Sequence, residues 1–122
     1  MAAKFYDLHG VRVLECAKAD PPLRTDRDAA AIMEHGFAQE ARVIVIPASS
    51  LDPDFFQLQT RVAGEMLQKF LNYGFKVAII GDFTDVAAHS DSLQAFIYES
   101  NRGDAVWFLS EMGELEERLA RS

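Results

Sequence analysis

The sequence predicts a single α/β domain spanning residues 1–122, with a mixed, mostly parallel sheet of about five strands and about four helices. Three segments, ARVIVIP, KVAIIGD and AVWFL, each contain a run of apolar residues that is typical of strands covered on both faces. A segment with helical spacing of apolar residues precedes each of them, and this alternation implies parallel pairing through right-handed crossovers. The predicted order is therefore β-β-α-β-α-β-α-β-α.

The N-terminal segment predicts a β-hairpin. Residues 5–8 and 11–16 have strand patterns, and His9-Gly10 between them suits a two-residue turn because glycine readily adopts a positive φ. Pro21-Pro22 then breaks the chain before the first helix.

Capping residues predict where the first and last helices begin. The first helix is expected to start after the N-cap Thr25 and to stop near His35, with Gly36 in the left-handed position past its end. The last helix is expected to start after the N-cap Ser110.

The longest predicted helix covers residues 54–73, with Asp52 or Asp54 as its N-cap and a wide apolar stripe facing the sheet. The buried strand KVAIIGD follows, and residues 83–89 are predicted to form a polar loop. A shorter helix with apolar residues at core spacing comes after that loop.

Composition limits the classes of function. Hydrophobic residues make up 49% of the chain and charged residues 25%, as in an ordinary globular protein. The net charge of -7 disfavours nucleic acid and anionic membrane surfaces as partners, because both require clustered Lys and Arg. No apolar run has transmembrane length and the N-terminus lacks the apolar core of a signal peptide, so we expect a cytoplasmic protein.

Cys16 is the single cysteine, which excludes an internal disulfide and any multi-cysteine metal site. It ends an apolar strand pattern, so we expect a small buried side chain instead of a reactive thiol. The sequence contains no Gly-rich phosphate loop and no nucleophile elbow, and we expect neither a cofactor nor a metal.

The apolar character of the central strands also bears on association. If the sheet is wound in chain order, right-handed crossovers place the intervening helices on one face. The other face then needs the N-terminal segment, a returning helix or a second subunit to cover it. A homodimer or a protein partner is therefore a hypothesis.

Short motifs along the middle of the chain carry a family resemblance. They are DFF at 54–56, AGE at 63–65, LQKF at 67–70, NY at 72–73, GDF at 81–83, and FIYE at 96–99 followed by Asn101. With these motifs the sequence resembles the domain-of-unknown-function family 4180, a bacterial family with no assigned activity. The resemblance implies a STAS-like fold, the fold of anti-sigma-factor antagonists, and it implies no known reaction.

Antagonist STAS domains carry a phosphorylatable serine in an Asp-Ser-Ser-Gly motif at the start of the helix after the central strand. The corresponding region here reads SSLDPDFFQLQT, in which Ser49 and Ser50 precede the helix cap. The resemblance leaves Ser49 or Ser50 as a candidate phosphoacceptor, against an ordinary turn role for these serines.

Candidate functional residues follow the predicted strands and line one helix face. Sites in open α/β sheets tend to lie beyond the carboxyl ends of the strands, which suggests a small-molecule or enzymatic site around Asp82, Ser92 and Glu99. Asp82 has an alternative role, because an Asp after Gly commonly closes a turn through nearby backbone N–H groups.

The residues Arg61, Glu65 and Lys69 stand four apart on one face of the long helix. They predict either a solvated ladder of ion pairs or a polar patch that meets a partner or ligand. The leading hypothesis is a non-enzymatic STAS-like module that binds a protein partner through this face, and the alternative is the small-molecule or enzymatic site.

Overall fold

A five-stranded sheet runs through the middle of the protein, with helices packed on both of its faces. The computed structural model describes residues 3–121. The strands are β1 (Ala3–Leu8), β2 (Val11–Cys16), β3 (Val43–Pro47), β4 (Lys76–Ile80) and β5 (Val106–Leu109). The helices are α1 (Asp26–Ala38), α2 (Val62–Asn72), α3 (Thr84–Ala88), α4 (Asp91–Arg102) and α5 (Met112–Ala120).

The strands lie in the sheet in chain order, from β1 to β5. The β1–β2 pair is antiparallel and the three other pairs are parallel. This arrangement confirms the predicted mixed, mostly parallel fold with four long helices, and α3 is a short additional helix. The longest helix, α1, has 13 residues, and no helix within residues 3–121 combines the length and apolar character needed to cross a membrane.

Two local predictions near the N-terminus are confirmed. The hairpin turn has positive φ at both central residues, 50° at His9 and 81° at Gly10, which is the geometry that matches strand twist. Thr25 caps α1 in a capping box: Asp28 N donates to Thr25 Oγ1 at 3.3 Å, and Thr25 N donates to Asp28 Oδ2 at 2.9 Å.

The larger core lies between the sheet and the layer formed by α1, α2 and α4. Strand side chains such as Ile44 and Ile79 are completely buried there, against Ile32 of α1 and Phe70 of α2. Burial of this size supplies the main favourable term in folding, because the apolar area leaves water.

The opposite face of the sheet is covered by α5, the returning helix that the sequence left as one of three alternatives. Leu115 and Leu119 of α5 pack on Val43, Ala78 and Trp107, which are at most 3% exposed. This face therefore does not require a second subunit to cover it. The homodimer stays a prediction, but it no longer has an uncovered sheet face to support it.

The single helix predicted over residues 54–73 is wrong in its first part. The chain instead forms two short 3-10 helices, at Pro53–Phe56 and Leu58–Thr60, before α2 begins at Val62. The Thr60 hydroxyl lies 2.7 Å from the carbonyl oxygens of both Asp54 and Gln57, and its one hydrogen is donated to one of them or shared between them.

The predicted end of the first helix at Gly36 is also wrong, because α1 continues to Ala38. Gly36 is buried inside the helix, where an added Cβ would stand 2.9 Å from Cε1 of Phe75. Glycine is needed at this position for close packing, not for a left-handed turn. By contrast, Gly74 has φ +85° and follows the C-cap of α2, in the left-handed position that favours glycine.

Two predictions at the far end of the sheet need correction. The predicted polar loop over residues 83–89 contains the helix α3. The N-cap of α5 is Glu111 and not Ser110, and its side chain makes no capping hydrogen bond. Glu114 instead reaches back and accepts hydrogen bonds from the backbone and hydroxyl of Ser110.

Candidate functional site

Asp82 directly follows β4 and Gly81, with its side chain exposed to solvent. Its Oδ1 accepts a hydrogen bond from Thr84 N at 2.9 Å, which closes the turn that starts α3. Hydrogen bonds from the side chain and backbone of Thr84 hold the pKa of Asp82 below its ordinary value. In this structure the carboxylate serves its own turn.

An open depression of about 550 Å³ lies beside this turn, at the carboxyl ends of β4 and β5. Asp82 lines it, and so does Glu114 from α5. Hydrogen bonds from the hydroxyl and the backbone of Ser110 lower the pKa of Glu114. Both carboxylates of the depression are therefore already engaged in local hydrogen bonds, and the small-molecule site around Asp82 stays a prediction.

The other two residues of that predicted site, Ser92 and Glu99, both lie exposed on α4. Ser92 is in the first turn of the helix, whereas Glu99 is seven residues further on, roughly 10 Å along the axis. Glu99 lines a separate groove between α2 and α4 that Asp82 does not reach. The structure does not bring the three residues together.

The two serines after β3 have different surroundings. Ser50 is completely buried; its Oγ accepts a hydrogen bond from Ala19 N at 3.0 Å and donates one to Ala17 O at 3.4 Å. Ser50 therefore joins the loop after β2 to the loop after β3, and its hydroxyl is shielded from a modifying enzyme in this conformation. Ser49 is exposed, so the predicted phosphoacceptor role is sterically open only to Ser49 of the two.

The predicted helix face of Arg61, Glu65 and Lys69 is less regular than expected. Arg61 precedes α2 in the left-handed region, with φ 66°, and its carbonyl accepts the hydrogen bond from Glu65 N at 3.0 Å. Within residues 3–121, no ion pair joins the three side chains. The ladder of ion pairs is therefore absent from this structure, and the polar patch stays a prediction.

Several aromatic residues of the motifs meet in one cluster at the carboxyl end of the sheet. Ring centroids lie 5.2 Å apart for Phe55 and Phe56, 6.1 Å for Phe56 and Phe83, 5.4 Å for Phe83 and Phe108, and 5.7 Å for Phe96 and Phe108. These separations suit edge-to-face aromatic packing. The DFF and GDF motifs thus serve the core.

Asn101 also has a structural role, at the open edge of the sheet. Its Oδ1 accepts from Phe108 N at 2.7 Å and its Nδ2 donates to Phe108 O at 3.1 Å. The side chain pairs with β5 as a neighbouring strand would, and it thereby protects an edge strand that could otherwise pair with another chain.

A groove of about 360 Å³ separates α2 from α4. Its floor and walls are mostly apolar, and its rim is polar and exposed. The lining residues are Gly64, Leu67, Gln68, Leu71, Phe96, Glu99, Ser100, Gly103, Asp104, Ala105 and Val106. Of the predicted site residues, only Glu99 is among them.

Gly64 is the feature of this groove that the fold does not explain. It lies within α2 on the exposed side of that helix. A Cβ added at Gly64 would meet no atom within 4 Å. Glycine costs about 0.5–1 kcal/mol relative to alanine in the middle of a helix, and this is an upper bound for Gly64, which lies in the first turn of α2. Neither packing nor backbone geometry requires glycine at Gly64, and the space beside it at the groove is open to solvent.

The comparison with protein families covers most of the chain, including the residues described above. A family model described as "Domain of unknown function (DUF4180)" matches residues 8–119. The chain belongs to this family. The DUF4180 match takes in the aromatic cluster, the groove between α2 and α4, and the turn at Asp82. Comparisons with curated proteins and with solved structures found no match.

Two surface features of this DUF4180 domain escaped the sequence analysis. Gly64 was visible as a glycine within a helical pattern, and its unfavourable helix propensity was a signal that could have been used. Lys76, Arg118 and Arg121 line a second depression at the amino end of β4 and β5. No local motif marks this cluster, because Lys76 lies 42 residues before Arg118 in the chain.

Proposed function

We propose that this protein is a non-enzymatic, STAS-like regulatory module that binds a protein partner in the groove between α2 and α4. The observation that carries the proposal is Gly64, a helix glycine that faces open space at the rim of an apolar groove. The chain-ordered sheet with its antiparallel first pair supports the STAS-like part of the proposal.

The groove suits an amphipathic helix of the partner. Leu67 and Leu71 on α2 and Phe96 on α4 form an apolar trough between two helices, which resembles the way grooves accept one face of a helix. At Gly64 the absence of a side chain lets the backbone of a partner helix approach closely. Apolar side chains spaced three or four residues apart on that helix would fill the trough.

The net charge of the chain indicates the charge of the partner. With a net charge of -7, the protein attracts a positively charged segment and steers it toward its surface. Asp104 stands at the rim, and Glu99 beside it pairs with Arg102 at 3.4 Å, so a basic residue flanking the apolar side of the partner helix would meet the Asp104 carboxylate there. We therefore expect a basic amphipathic helix and not an acidic one.

The proposal can be tested by placing a photo-crosslinking amino acid at Gln68, which is exposed and lines the groove. The matched control carries the same amino acid at Glu117, which is exposed on α5 on the other face of the sheet. Irradiation in cells of the source organism should give a discrete protein adduct from position 68 and none of the same mass from position 117.

A second substitution makes the test specific to the groove. Gly64→Leu should fold normally because its side chain meets open space, yet it should fill the trough. The adduct from position 68 should then disappear, whereas Gly64→Ala should keep it. An adduct that survives Gly64→Leu, or that appears equally from position 117, would contradict the proposal.

A further inference from the structure

The two outer strands of the sheet, β1 and β5, differ in how their edges are closed. On β5 the Asn101 side chain takes up the N–H and the C=O of Phe108, which are groups that a further strand would use. On β1, within residues 3–121, no hydrogen bond from another part of the chain reaches the outward backbone groups of Phe5 or Asp7. One edge of the sheet is therefore protected, and the other is open.

The pairing of the sheet shows which backbone groups of β1 point outward. Arg12 O accepts a hydrogen bond from Arg42 N, just before β3, at 2.9 Å, so the carbonyl of Arg12 points toward β3. The backbone groups of Val13, the next residue, point toward β1, where Val13 and its partner Tyr6 form a hydrogen-bonded pair. Such pairs alternate along the ladder, so every second residue of β1 points away from β2. These outward residues are Ala3, Phe5 and Asp7.

β1 has few of the devices that protect an edge strand from pairing with another chain. It is six residues long and contains no proline, and it pairs with β2 over its whole length without a bulge. Its two charged side chains, Lys4 and Asp7, are exposed. Charges oppose edge pairing where like charges face each other, so their effect depends on the sequence of the partner strand.

We propose that β1 pairs in antiparallel fashion with β1 of a second copy of this chain, so that the two five-stranded sheets become continuous. Phe5 faces Phe5 of the second copy, and Ala3 of each copy faces Asp7 of the other. All outward residues of both strands then belong to hydrogen-bonded pairs, which exchange about six hydrogen bonds in total. The contact is symmetric about a two-fold axis, as in most protein dimers.

The side chains of β1 suit this self-pairing. Phe5 is half-buried at the margin of the larger core, and a facing Phe5 covers part of the ring that remains in water. Lys4 of each copy faces Tyr6 of the other, on the side of the sheet where Tyr6 donates to Glu15 at 2.6 Å. A positive side chain thus approaches a face that carries a carboxylate, and no like charges stand opposite each other.

Other symmetric registers of the same two strands are less favourable. A register with Asp7 facing Asp7, or with Lys4 facing Lys4, places like charges opposite each other and forms fewer hydrogen bonds. A register with Tyr6 facing Tyr6 avoids this repulsion. It leaves Ala3 without a partner in β1, however, and therefore forms only about four hydrogen bonds.

The net charge and the small contact area make this a weak dimer. Two copies with a net charge of -7 repel each other, and pairing of two edges buries less area than a standard protein interface. We expect a dissociation constant on the order of 100 μM at physiological salt, and tighter association as added salt screens the repulsion. The groove between α2 and α4 adjoins β5, at the other edge of the sheet, so the dimer leaves it accessible.

The first measurement is sedimentation equilibrium of the purified protein over a range of concentrations, at physiological and at raised sodium chloride. Amide hydrogen exchange followed by NMR then locates the contact. Between dilute and concentrated samples, the N–H groups of Phe5 and Asp7 should gain at least about tenfold protection, because the second copy covers them. The N–H of Tyr6, which points toward β2, should be protected in both samples.

Two variants at Asp7 provide a matched pair, because both lose the same charge and the same ion pair with Arg12. Asp7→Pro removes an outward N–H without removing a donor from the β1–β2 ladder, and its ring obstructs the second strand. It should weaken dimerisation about tenfold or more, since the loss occurs twice in the symmetric contact. Asp7→Thr keeps the N–H and should associate at least as tightly as the original protein.

Three results would overturn the proposal. One is a monomer at millimolar concentration in raised salt. Another is a dimer in which the exchange of the Phe5 and Asp7 amides does not change, because such a dimer would use a different surface. The third is protection of these amides by another protein in a chain that stays monomeric alone, since the edge would then accept a foreign strand. If Asp7→Pro lowers the melting temperature strongly, the exchange data of the original protein decide.

Discussion

Two glycines inside helices, Gly36 in α1 and Gly64 in α2, have opposite surroundings. An added Cβ at Gly36 would stand 2.9 Å from Cε1 and 3.1 Å from Cζ of Phe75, whose ring is buried. An added Cβ at Gly64 would meet nothing within 4 Å. The first glycine is explained by the fold, and the second is not. Residues of the same type can thus be separated into structural and functional candidates by what surrounds them.

The same distinction applies to the motifs that carry the family resemblance. The DFF motif contributes Phe55, which is 1% exposed at the heart of the aromatic cluster. The AGE motif contributes Gly64, which packs against nothing. A motif shared by a family therefore contains both kinds of residue, and its function has to be sought in the kind that the core does not use.

The largest effect is expected from Phe55→Ala. Removing a fully buried aromatic ring should lower the free energy of unfolding by about 3–5 kcal/mol, because the apolar contacts are lost and a cavity remains. Urea denaturation followed by circular dichroism would measure it. A loss below about 1 kcal/mol would mean that Phe55 belongs with Gly64 among the residues not needed by the core.

A smaller loss is expected from Gly36→Ala. The new methyl group forces the buried Phe75 ring to move, which outweighs the gain in helix propensity and leaves a net loss of about 1–2 kcal/mol. The Gly36→Ala, Phe75→Leu double variant is the control, since the shorter side chain frees the space. If Gly36→Ala proves more stable than the original protein, the contrast between the two glycines is lost.

The cap of α1 should show the effect of pH. Burial raises the pKa of Asp28, but hydrogen bonds from the backbone of Arg24 and Thr25 and from the Thr25 hydroxyl outweigh it, so the pKa lies below its ordinary value. A lowered pKa in the folded state means that the carboxylate stabilises the fold when ionised. That stability is present above the ordinary value of 3.8 and is lost as the pH falls through the lower folded value.

Asp28→Asn is therefore expected to lower the free energy of unfolding by about 1 kcal/mol at pH 6. The loss is smaller to the extent that solvent screens the charge at this cap. The difference from the original protein should shrink as the pH falls below 3.8. Denaturant titrations at pH 6 and pH 3 would measure it. A difference that stays constant with pH would show that the ionised carboxylate is not what stabilises the cap.

The smallest effect is expected from Gly64→Ala, and its sign is opposite to that of Gly36→Ala. Alanine loses less backbone entropy on folding and meets no neighbour, so the free energy of unfolding should rise by at most about 0.5–1 kcal/mol. Thermal unfolding of the two alanine variants side by side gives the comparison. A loss at Gly64 would reveal a packing role for this glycine that the structure does not show.

Much of the fold could be predicted from the sequence, because apolar runs and capping residues act locally. The three buried strands, the hairpin turn at His9-Gly10 and the cap at Thr25 all follow from such patterns. The interruption before α2 could not be predicted, since it depends on a specific turn in which the Thr60 hydroxyl approaches the carbonyl groups of Asp54 and Gln57. The role of Gly36 likewise depends on Phe75, which lies 39 residues away in the chain.

The candidate sites were harder to predict for the same reason. Asp82 was correctly given turn formation as an alternative, because an Asp after Gly makes local hydrogen bonds. The separation of Glu99 from Asp82 could not be predicted, since it depends on where α4 crosses the sheet. The proximity of Lys76 and Arg121 could not be predicted either, because it depends on how α5 packs against the sheet.

The central claim is that the groove beside Gly64 binds a partner, and one ratio tests it most directly. The partner captured at Gln68 would be purified, and its dissociation constant measured by calorimetry for Gly64→Ala and for Gly64→Leu. Both variants should melt at or above the temperature of the original protein. We predict that Gly64→Leu binds at least about a hundredfold more weakly than Gly64→Ala, because the leucine occupies the trough. Equal dissociation constants for the two variants would contradict the claim.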